Sequence, residues 1–285
     1  MKKKTLSYFA IAAVVGLGIS FGGVTKAKAE SSVVSPGITL SAGYAGEHFH
    51  YGESGDQEHG WLNGFYVGTN YKSQGDIVGL GLGNLDLNLK FTYLGGNVDY
   101  DGAQTDLVTG ESIKLSTNTQ EDISDIQLKG GFDQALSNNI AVGEYLSLGY
   151  RYWHRSVEGI GGFSEGYNNG YIGLGAKAAY SFNDKISAGI SAEANWSPAW
   201  SSINYVSSPW GNYNMGSAYN VKIEVPINYN VTPQLSLNLT PYYNYWHFSG
   251  SDTKNVVIDG VPVTSYEPSS ETNSAGFNVG IAYRF

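Results

Sequence analysis

The chain has 285 residues, no cysteine, and 16 basic against 25 acidic residues, which gives a formal net charge of −9. The absence of cysteine excludes thiolate chemistry, and the acidic balance argues against a nucleic-acid-binding protein. The 38 glycines and 22 tyrosines are typical of β-structure rather than of helical enzymes.

The start of the chain has the pattern of a secretory signal peptide. Lysines at positions 2–4 precede a glycine-interrupted apolar run over 6–24, and Ala27-Lys28-Ala29 forms a small-x-small cleavage site. We expect a signal peptide over 1–29, cleaved after Ala29, and one mature domain over 30–285. A retained anchor is the weaker alternative. Loss of the lysines at positions 2, 3, 4, 26 and 28 changes the net charge from −9 to −14.

After this segment, the chain reads as a series of β-strands. No later stretch reaches the ~20 apolar residues that a membrane helix needs, whereas about ten alternating segments exceed the ~9–11 residues of a tilted membrane strand. The predicted strands cover 36–50, 60–73, 84–99, 120–135, 140–157, 164–182, 185–199, 213–230, 234–249 and 272–285. An even number of strands returns the chain to the side where it began. Eight or twelve strands remain alternatives.

The connections between these strands alternate in length. Tight turns are predicted at 137–139, 183–184 and 232–233, and long polar loops at 51–59, 100–119, 200–212 and 250–271. Short turns on one side and long loops on the other are typical of a membrane barrel. The fold class predicted is therefore all-β, a closed up-and-down antiparallel transmembrane β-barrel of about ten strands.

Each predicted strand has one apolar face and one polar face. In the strand over 185–199, Ile186, Ile190 and Trp196 share the apolar face. The charges predicted on the opposite, inward faces are Asp86, Lys90, Lys129, Asp133, Arg151, Arg155, Lys177, Glu193, Lys222, Glu224 and Arg284. Because a sheet of about ten strands encloses a narrow lumen, opposite charges there would pair across it, so we expect a filled or constricted lumen.

The densest aromatic and basic segment covers 148–155. Alternation places Arg151, Trp153 and Arg155 inside the barrel. We interpret them as part of the internal ion network, with Arg155 stacked on Trp153 or on a neighbouring ring. The alternative is that they bind an anionic group at the mouth of the lumen.

The chain ends on an alternating strand in which Phe277, Val279, Ile281, Tyr283 and Phe285 share one face. This ending resembles the C-terminal strand of Gram-negative outer-membrane β-barrels, and the resemblance covers the whole mature chain in architecture. It implies an outer-membrane location and an assembly signal at Tyr283 and Phe285. The partners it implies are the barrel-assembly machinery, membrane lipids and lipopolysaccharide.

All five histidines lie near predicted extracellular strand ends. His48 and His50 share a strand face and have acidic neighbours, so they are weak candidates for a divalent-ion site. No histidine has a tight metal-binding spacing, and ordinary rim residues are the favoured interpretation. No metal site and no cofactor are predicted.

An acidic run in the loop region is a second possible contact for cations. It consists of Asp99, Asp101, Asp106, Glu111, Glu121, Asp122 and Asp125. Such loops could help to bridge divalent cations held by lipopolysaccharide. Solvated loops without a specific role are the default interpretation.

An enzyme is not the favoured interpretation. The chain resembles the omptin proteases in architecture only, because their paired aspartates and Asp-x-His are missing; Asp99-x-Asp101 is the nearest carboxylate pair. The leading hypothesis is a non-enzymatic surface protein or narrow pore with a charged, constricted lumen. The alternatives are a surface hydrolase that uses rim His and Asp residues, and a carrier for small or hydrophobic molecules.

Overall fold

The computed structural model describes residues 35–105, 112–159, 162–198, 200–206, 211–258 and 260–285. The predicted signal peptide over 1–29 lies outside them, so the division into signal peptide and mature domain stays a prediction. Within these residues the regular structure is β, as the alternation predicts. In the same residues, no helix is long and apolar enough to cross a membrane.

The strands follow one another closely along the described chain. They are β1 (Gly37–Glu53), β2 (Asp56–Lys72), β3 (Asn84–Thr105), β4 (Ser112–Ala135), β5 (Ile140–Val157), β6 (Ser164–Ser181), β7 (Ile186–Ser197), β8 (Ser201–Val206), β9 (Asn212–Asn214), β10 (Ala218–Glu224), β11 (Ile227–Asn230), β12 (Leu235–Phe248), β13 (Lys254–Ile258), β14 (Val261–Ser265) and β15 (Ser270–Arg284).

The main sheet closes into a barrel of ten antiparallel strands. Each strand pairs with its neighbours in sequence, and β1 pairs with β15, which closes the ring. The seventh strand consists of β7 continued by β8, and the eighth consists of β9, β10 and β11. β13 and β14 form a separate hairpin. The predicted fold class and the count of ten strands are confirmed.

The outer surface of the barrel carries a continuous apolar band. Leu146 and Leu148 of β5 are 66% and 55% exposed, and Ile190 and Ile281 are exposed on other strands. Apolar side chains exposed on every strand of a closed sheet are what a barrel presents to the hydrocarbon of a bilayer.

Tyrosines mark one boundary of this band in a repeated geometry. On four strand pairs an outward tyrosine donates a hydrogen bond to an Asn or Asp of the next strand, two positions beyond the residue that it directly opposes. The pairs are Tyr44–Asn63, Tyr93–Asp122, Tyr150–Asn168 and Tyr243–Asn273. A ring of amphipathic tyrosines is typical of the level where a barrel meets lipid headgroups.

The two ends of the barrel differ as the connection lengths predict. We call the end that holds Gly37 and Phe285 the terminal end, and the opposite end the loop end; the Phe285 N–H donates to the Ile38 carbonyl at 2.9 Å. The three tight turns lie at the terminal end. The predicted loop over 51–59 is instead strand, because β1 and β2 continue to a two-residue turn at Ser54-Gly55, where both φ angles are positive.

The eighth strand is interrupted where the prediction had a continuous segment over 213–230. Pro226 has no N–H to give to the ladder, so β10 ends at Glu224 and β11 begins at Ile227. The register with β7 and β12 is the same on both sides of the break. The interruption therefore removes ladder hydrogen bonds without shifting the faces of the strand.

Glycines and tyrosines occur together inside the barrel because they pair across strands. Tyr66, Tyr145, Tyr171 and Tyr242 point inward, and each directly opposes a glycine of a neighbouring strand. A Cβ built at the opposing glycines would clash with these rings. The abundance of both residue types therefore reflects the packing of phenol rings over bare backbone.

We expect Gly149→Ala to destabilise the barrel, because the new Cβ would meet the ring of Tyr171. An overpacked site of this kind costs about 1–3 kcal/mol in free energy of unfolding. Gly130→Ala is the matched control, because its Cβ would meet only the tip of Leu87 at 3.3 Å. Urea unfolding in lipid vesicles measures both variants, and equal midpoints would contradict the packing argument.

Candidate functional site

The lumen at the terminal end contains an open polar cavity that we call the vestibule. Its volume is about 430 Å³, and its charged lining consists of Lys72, Asp86, Lys129, Asp133, Lys177 and Glu224. Lys72 lies 2.6 Å from Asp133 and 3.8 Å from Asp86, and Lys177 pairs with the same two aspartates. The charges of this wall therefore neutralise one another in a four-membered cluster.

A second set of ion pairs crosses the lumen above the vestibule. Lys129 of β4 lies 2.6 Å from Glu193 of β7 and 3.5 Å from Glu224 of β10, on the far side of the barrel. Lys222 lies 2.8 Å from Glu224. Gln127 donates to Glu193 at 2.6 Å. These bridges constrict the lumen, as the narrow cross-section predicts.

Beyond the bridges lies a smaller space that we call the central cavity. Its volume is about 60 Å³, and it is lined by Glu47, Lys90, Asp125, Arg151, Lys222 and Trp246 among others. Arg151 lies over the ring of Trp246, with 5.7 Å from the guanidinium carbon to the ring centroid. The cation-to-ring contact predicted for this segment is present at Arg155, whose guanidinium carbon lies 6.0 Å from the ring centroid of Trp153 and 4.5 Å from that of Tyr51.

Aromatic side chains fill the lumen between the central cavity and the loop end. We call Phe49, Trp153, Tyr167, Trp246 and Phe248 the plug; none of them is more than 3% exposed. Trp153 stacks on Tyr167 with 4.5 Å between ring centroids, and Trp246 stacks on Phe248 at 5.7 Å. All five rings of the plug are therefore shielded from solvent.

A buried charge cluster covers the plug on its loop side. The Arg155 guanidinium pairs with Glu58 and lies 3.0 Å from Glu165, and all three side chains are at most 3% exposed. Trp153 donates its ring N–H to Glu121.

At the tip of the β1–β2 hairpin, outside the apolar band, burial raises the pKa of Glu53 to about 7.

The structure brings most of the predicted network residues into ion pairs. These are Asp86, Lys129, Asp133, Arg155, Lys177, Glu193, Lys222 and Glu224. Lys90 and Arg151 have no ion pair among the described residues and contact aromatic rings instead. Arg284 corrects the prediction: it lies at the terminal rim, where it donates to the Pro233 carbonyl at 2.6 Å. What the network does stays a prediction.

Several inward charges were missed at the sequence level. Glu47, Lys72 and Asp125 lie on the inward faces of predicted strands, so strict alternation identifies them. Glu58 falls in the segment predicted as a loop, where no face could be assigned. Glu165 lies near the start of β6 and points inward to Arg155.

The rim histidines lie on the outer wall of the barrel. His48 packs against Trp61, and His50 directly opposes His59 across β1 and β2. Three histidines face a carboxylate of the next strand: His59–Asp99 at 3.8 Å, His154–Asp122 at 4.0 Å and His247–Glu271 at 3.8 Å. Within the described residues, no three His, Asp or Glu side chains form a metal-binding group.

The predicted acidic run does not form one surface. Glu121 and Asp125 point inward, to Trp153 and Tyr171 respectively. Asp99 and Asp122 lie on the outer wall beside histidines. Asp106 and Glu111 lie outside the described residues. A shared cation site along this run is therefore not supported by the positions that the structure describes.

Comparison with known proteins identifies the fold. No family model matches the chain, and no curated protein matches it. Among solved structures, the outer membrane protease OmpT from Escherichia coli is similar with a TM-score of 0.58 and 14% identity, covering 87% of this chain and 97% of that chain. The chain has the fold of an outer-membrane β-barrel. The transport unit of the autotransporter AIDA-I from Escherichia coli is less similar, with a TM-score of 0.47 and 11% identity, covering 97% of both chains. Neisserial surface protein A has a TM-score of 0.34 and 11% identity, covering 87% of this chain and 97% of that chain.

In an outer-membrane barrel, the end with both termini and the short turns faces the periplasm, and the loop end faces outward. The vestibule then opens to the periplasm, and the plug lies toward the cell surface. Tyr283 and Phe285 lie on the outer wall at the periplasmic rim, with 5.0 Å between their ring centroids. Their role as an assembly signal stays a prediction.

Proposed function

We propose that this outer-membrane β-barrel is a non-enzymatic surface protein with a closed lumen. The plug carries this proposal, because its five aromatic side chains are almost completely buried between the central cavity and the loop end. Two further levels of cross-lumen contacts support it: the Lys129 bridges below the plug and the Arg155 cluster above it. A solute that crossed the barrel would have to displace all three.

The hairpins beyond the tyrosine ring are the surface that such a protein presents. β3 and β4 remain paired as far as Thr105 and Ser112, and β13 and β14 add a hairpin of their own. We propose that the outer wall contacts membrane lipids and lipopolysaccharide, and that the barrel-assembly machinery inserts it. Divalent cations held by lipopolysaccharide at separate acidic positions of the outer wall, such as Asp99 and Asp122, belong to the same proposal.

The alternatives have less support. A rim hydrolase would need His and Asp groups converging on a cleft, whereas the His–carboxylate pairs lie on the outer wall on separate strand pairs. OmpT is a protease by name, but a likeness at 14% identity concerns the fold. A carrier for hydrophobic molecules would need an apolar cavity, whereas six charged side chains share the lining of the vestibule with its alanines and other apolar residues.

Conductance tests the closed lumen. In planar bilayers we expect the refolded barrel to give no steady ohmic conductance, because water has no continuous path past the plug. Removal of all three levels, by Phe49→Ala/Trp153→Ala/Tyr167→Ala together with Lys129→Ala and Arg155→Ala, should open a conducting path. Trp196→Ala, which removes an exposed outer-wall ring, is the matched control and should stay silent. Steady conductance of the unaltered barrel would remove the closed-lumen proposal.

A further inference from the structure

Two cations of the lumen differ from all the others that the structure describes. Lys72, Lys129, Arg155, Lys177 and Lys222 each have a carboxylate within 4.0 Å. Lys90 and Arg151 have no carboxylate within that distance among the described residues, and both line the central cavity. The central cavity therefore holds two cations that have no close ion pair, together with Lys222 and the carboxylates of Glu47 and Asp125.

Arg151 is also incompletely hydrogen-bonded. Its side chain is buried, at 6% exposure, and its Nε has no hydrogen-bond partner among the described residues. A buried N–H group without a partner is costly, because this Nε–H has lost water and gained no hydrogen bond in exchange. The ring of Trp246 covers one face of the guanidinium, which leaves its edge N–H groups for the cavity.

The carboxylates of the central cavity already have donors. Glu47 accepts hydrogen bonds from Tyr242 at 2.9 Å and from Ser274 at 3.2 Å. Asp125 accepts from the Tyr171 hydroxyl at 3.1 Å. These hydroxyls hold the two carboxylates in place, and neither carboxylate lies within 4.0 Å of Arg151 or Lys90. The two carboxylates and Lys222 remain the charged groups that face Arg151 and Lys90 across the cavity.

The size of the cavity limits what can enter. Its volume of about 60 Å³ exceeds the roughly 30 Å³ that one water occupies in the liquid, so it can hold a small polyatomic ion or a few waters. The planar donors of a guanidinium match two oxygens of one oxyanion, and an ammonium adds a point charge. The chemistry of the donors therefore favours an oxyanion over a metal cation.

We propose that the central cavity is a binding site for a small oxyanion of the size of phosphate. Arg151 holds the anion through its edge N–H groups, and Lys90 supplies the second positive charge. The anion enters from the terminal end through the vestibule and past the Lys129 bridges, because the plug closes the other side. This site is independent of the proposed surface function, since a barrel that conducts could contain it too.

Titration with inorganic phosphate tests the site in the full mature barrel, refolded in detergent micelles. We expect one saturable binding event by calorimetry, accompanied by a change in Trp246 fluorescence that Trp246→Phe removes. Arg151→Gln should weaken phosphate binding by at least about tenfold, since it removes a charge-assisted contact. Lys90→Met should weaken phosphate binding less than Arg151→Gln does, and Arg151→Lys should retain part of the phosphate affinity.

Lys254→Met is the matched control, because it removes one positive charge from a loop hairpin outside the lumen. It should leave phosphate affinity unchanged. Heat-modifiable migration in gels shows whether each variant is folded. If Arg151→Gln does not fold, the phosphate affinity of Lys90→Met tests the site instead. Absence of saturable binding, or phosphate affinity unchanged from the unaltered barrel in Arg151→Gln and Lys90→Met, would overturn the proposal. None of these readouts depends on conductance.

Discussion

Replacing Arg155 with methionine should destabilise the barrel by about 3–5 kcal/mol, the usual cost of removing one partner of a buried ion pair. The guanidinium forms ion pairs with two carboxylates, Glu58 and Glu165, whose side chains are at most 2% exposed. Methionine fills a similar volume but leaves both carboxylates buried without a cation. Urea unfolding in vesicles measures the loss.

The design of this experiment separates charge from packing. Adding Glu58→Gln and Glu165→Gln to Arg155→Met removes the uncompensated charges and should restore most of the stability, because neutral amides are cheaper to bury than carboxylates. Arg284→Met is the matched control, because its guanidinium lies at the exposed rim and should cost little. If Arg155→Met and Arg284→Met unfolded at the same urea concentration, the cluster would not stabilise the barrel.

Side-chain alternation predicts the membrane part of this barrel well because the two faces of each strand meet different surroundings, lipid outside and the polar lumen inside. Lipid requires apolar side chains on one face, and the polar lumen accepts charges on the other, so the faces of β5 and β7 can be read from the sequence. The same alternation identifies Lys129 and Glu193 as inward. Their partnership, however, depends on which strands face each other across the lumen, and that follows only from closure of the sheet.

Beyond the tyrosine ring the signal disappears, because water surrounds the outer face of the hairpins. Polar residues then occupy both faces, and the ends of β1 and β2 look like a loop. This is why Glu58 could not be assigned to the lumen. Arg284 shows the opposite limit: alternation predicts an inward side chain, but so close to the rim it contacts the turn at Pro233 instead of a carboxylate.

Replacing Phe285 with alanine should strongly reduce the assembled barrel in the outer membrane of cells while leaving its refolding in detergent nearly unchanged. The side chain is 72% exposed and contacts mainly Tyr283, so its loss removes little buried area from the folded barrel. A large loss of assembly would therefore reflect recognition of the terminal strand by the assembly machinery rather than lower stability.

Phe182→Ala is the matched control for this substitution. Phe182 lies in the turn between β6 and β7 at the same rim, is 59% exposed, and packs edge-on against Tyr180 with the 5.0 Å centroid separation that Phe285 has to Tyr283. The two substitutions remove the same side chain from equivalent surroundings and differ in their place in the chain. The fraction of heat-modifiable protein in outer-membrane preparations measures both. Equal fractions would mean that the terminal position has no special role, whereas a loss confined to Phe285→Ala would assign the signal to the end of β15.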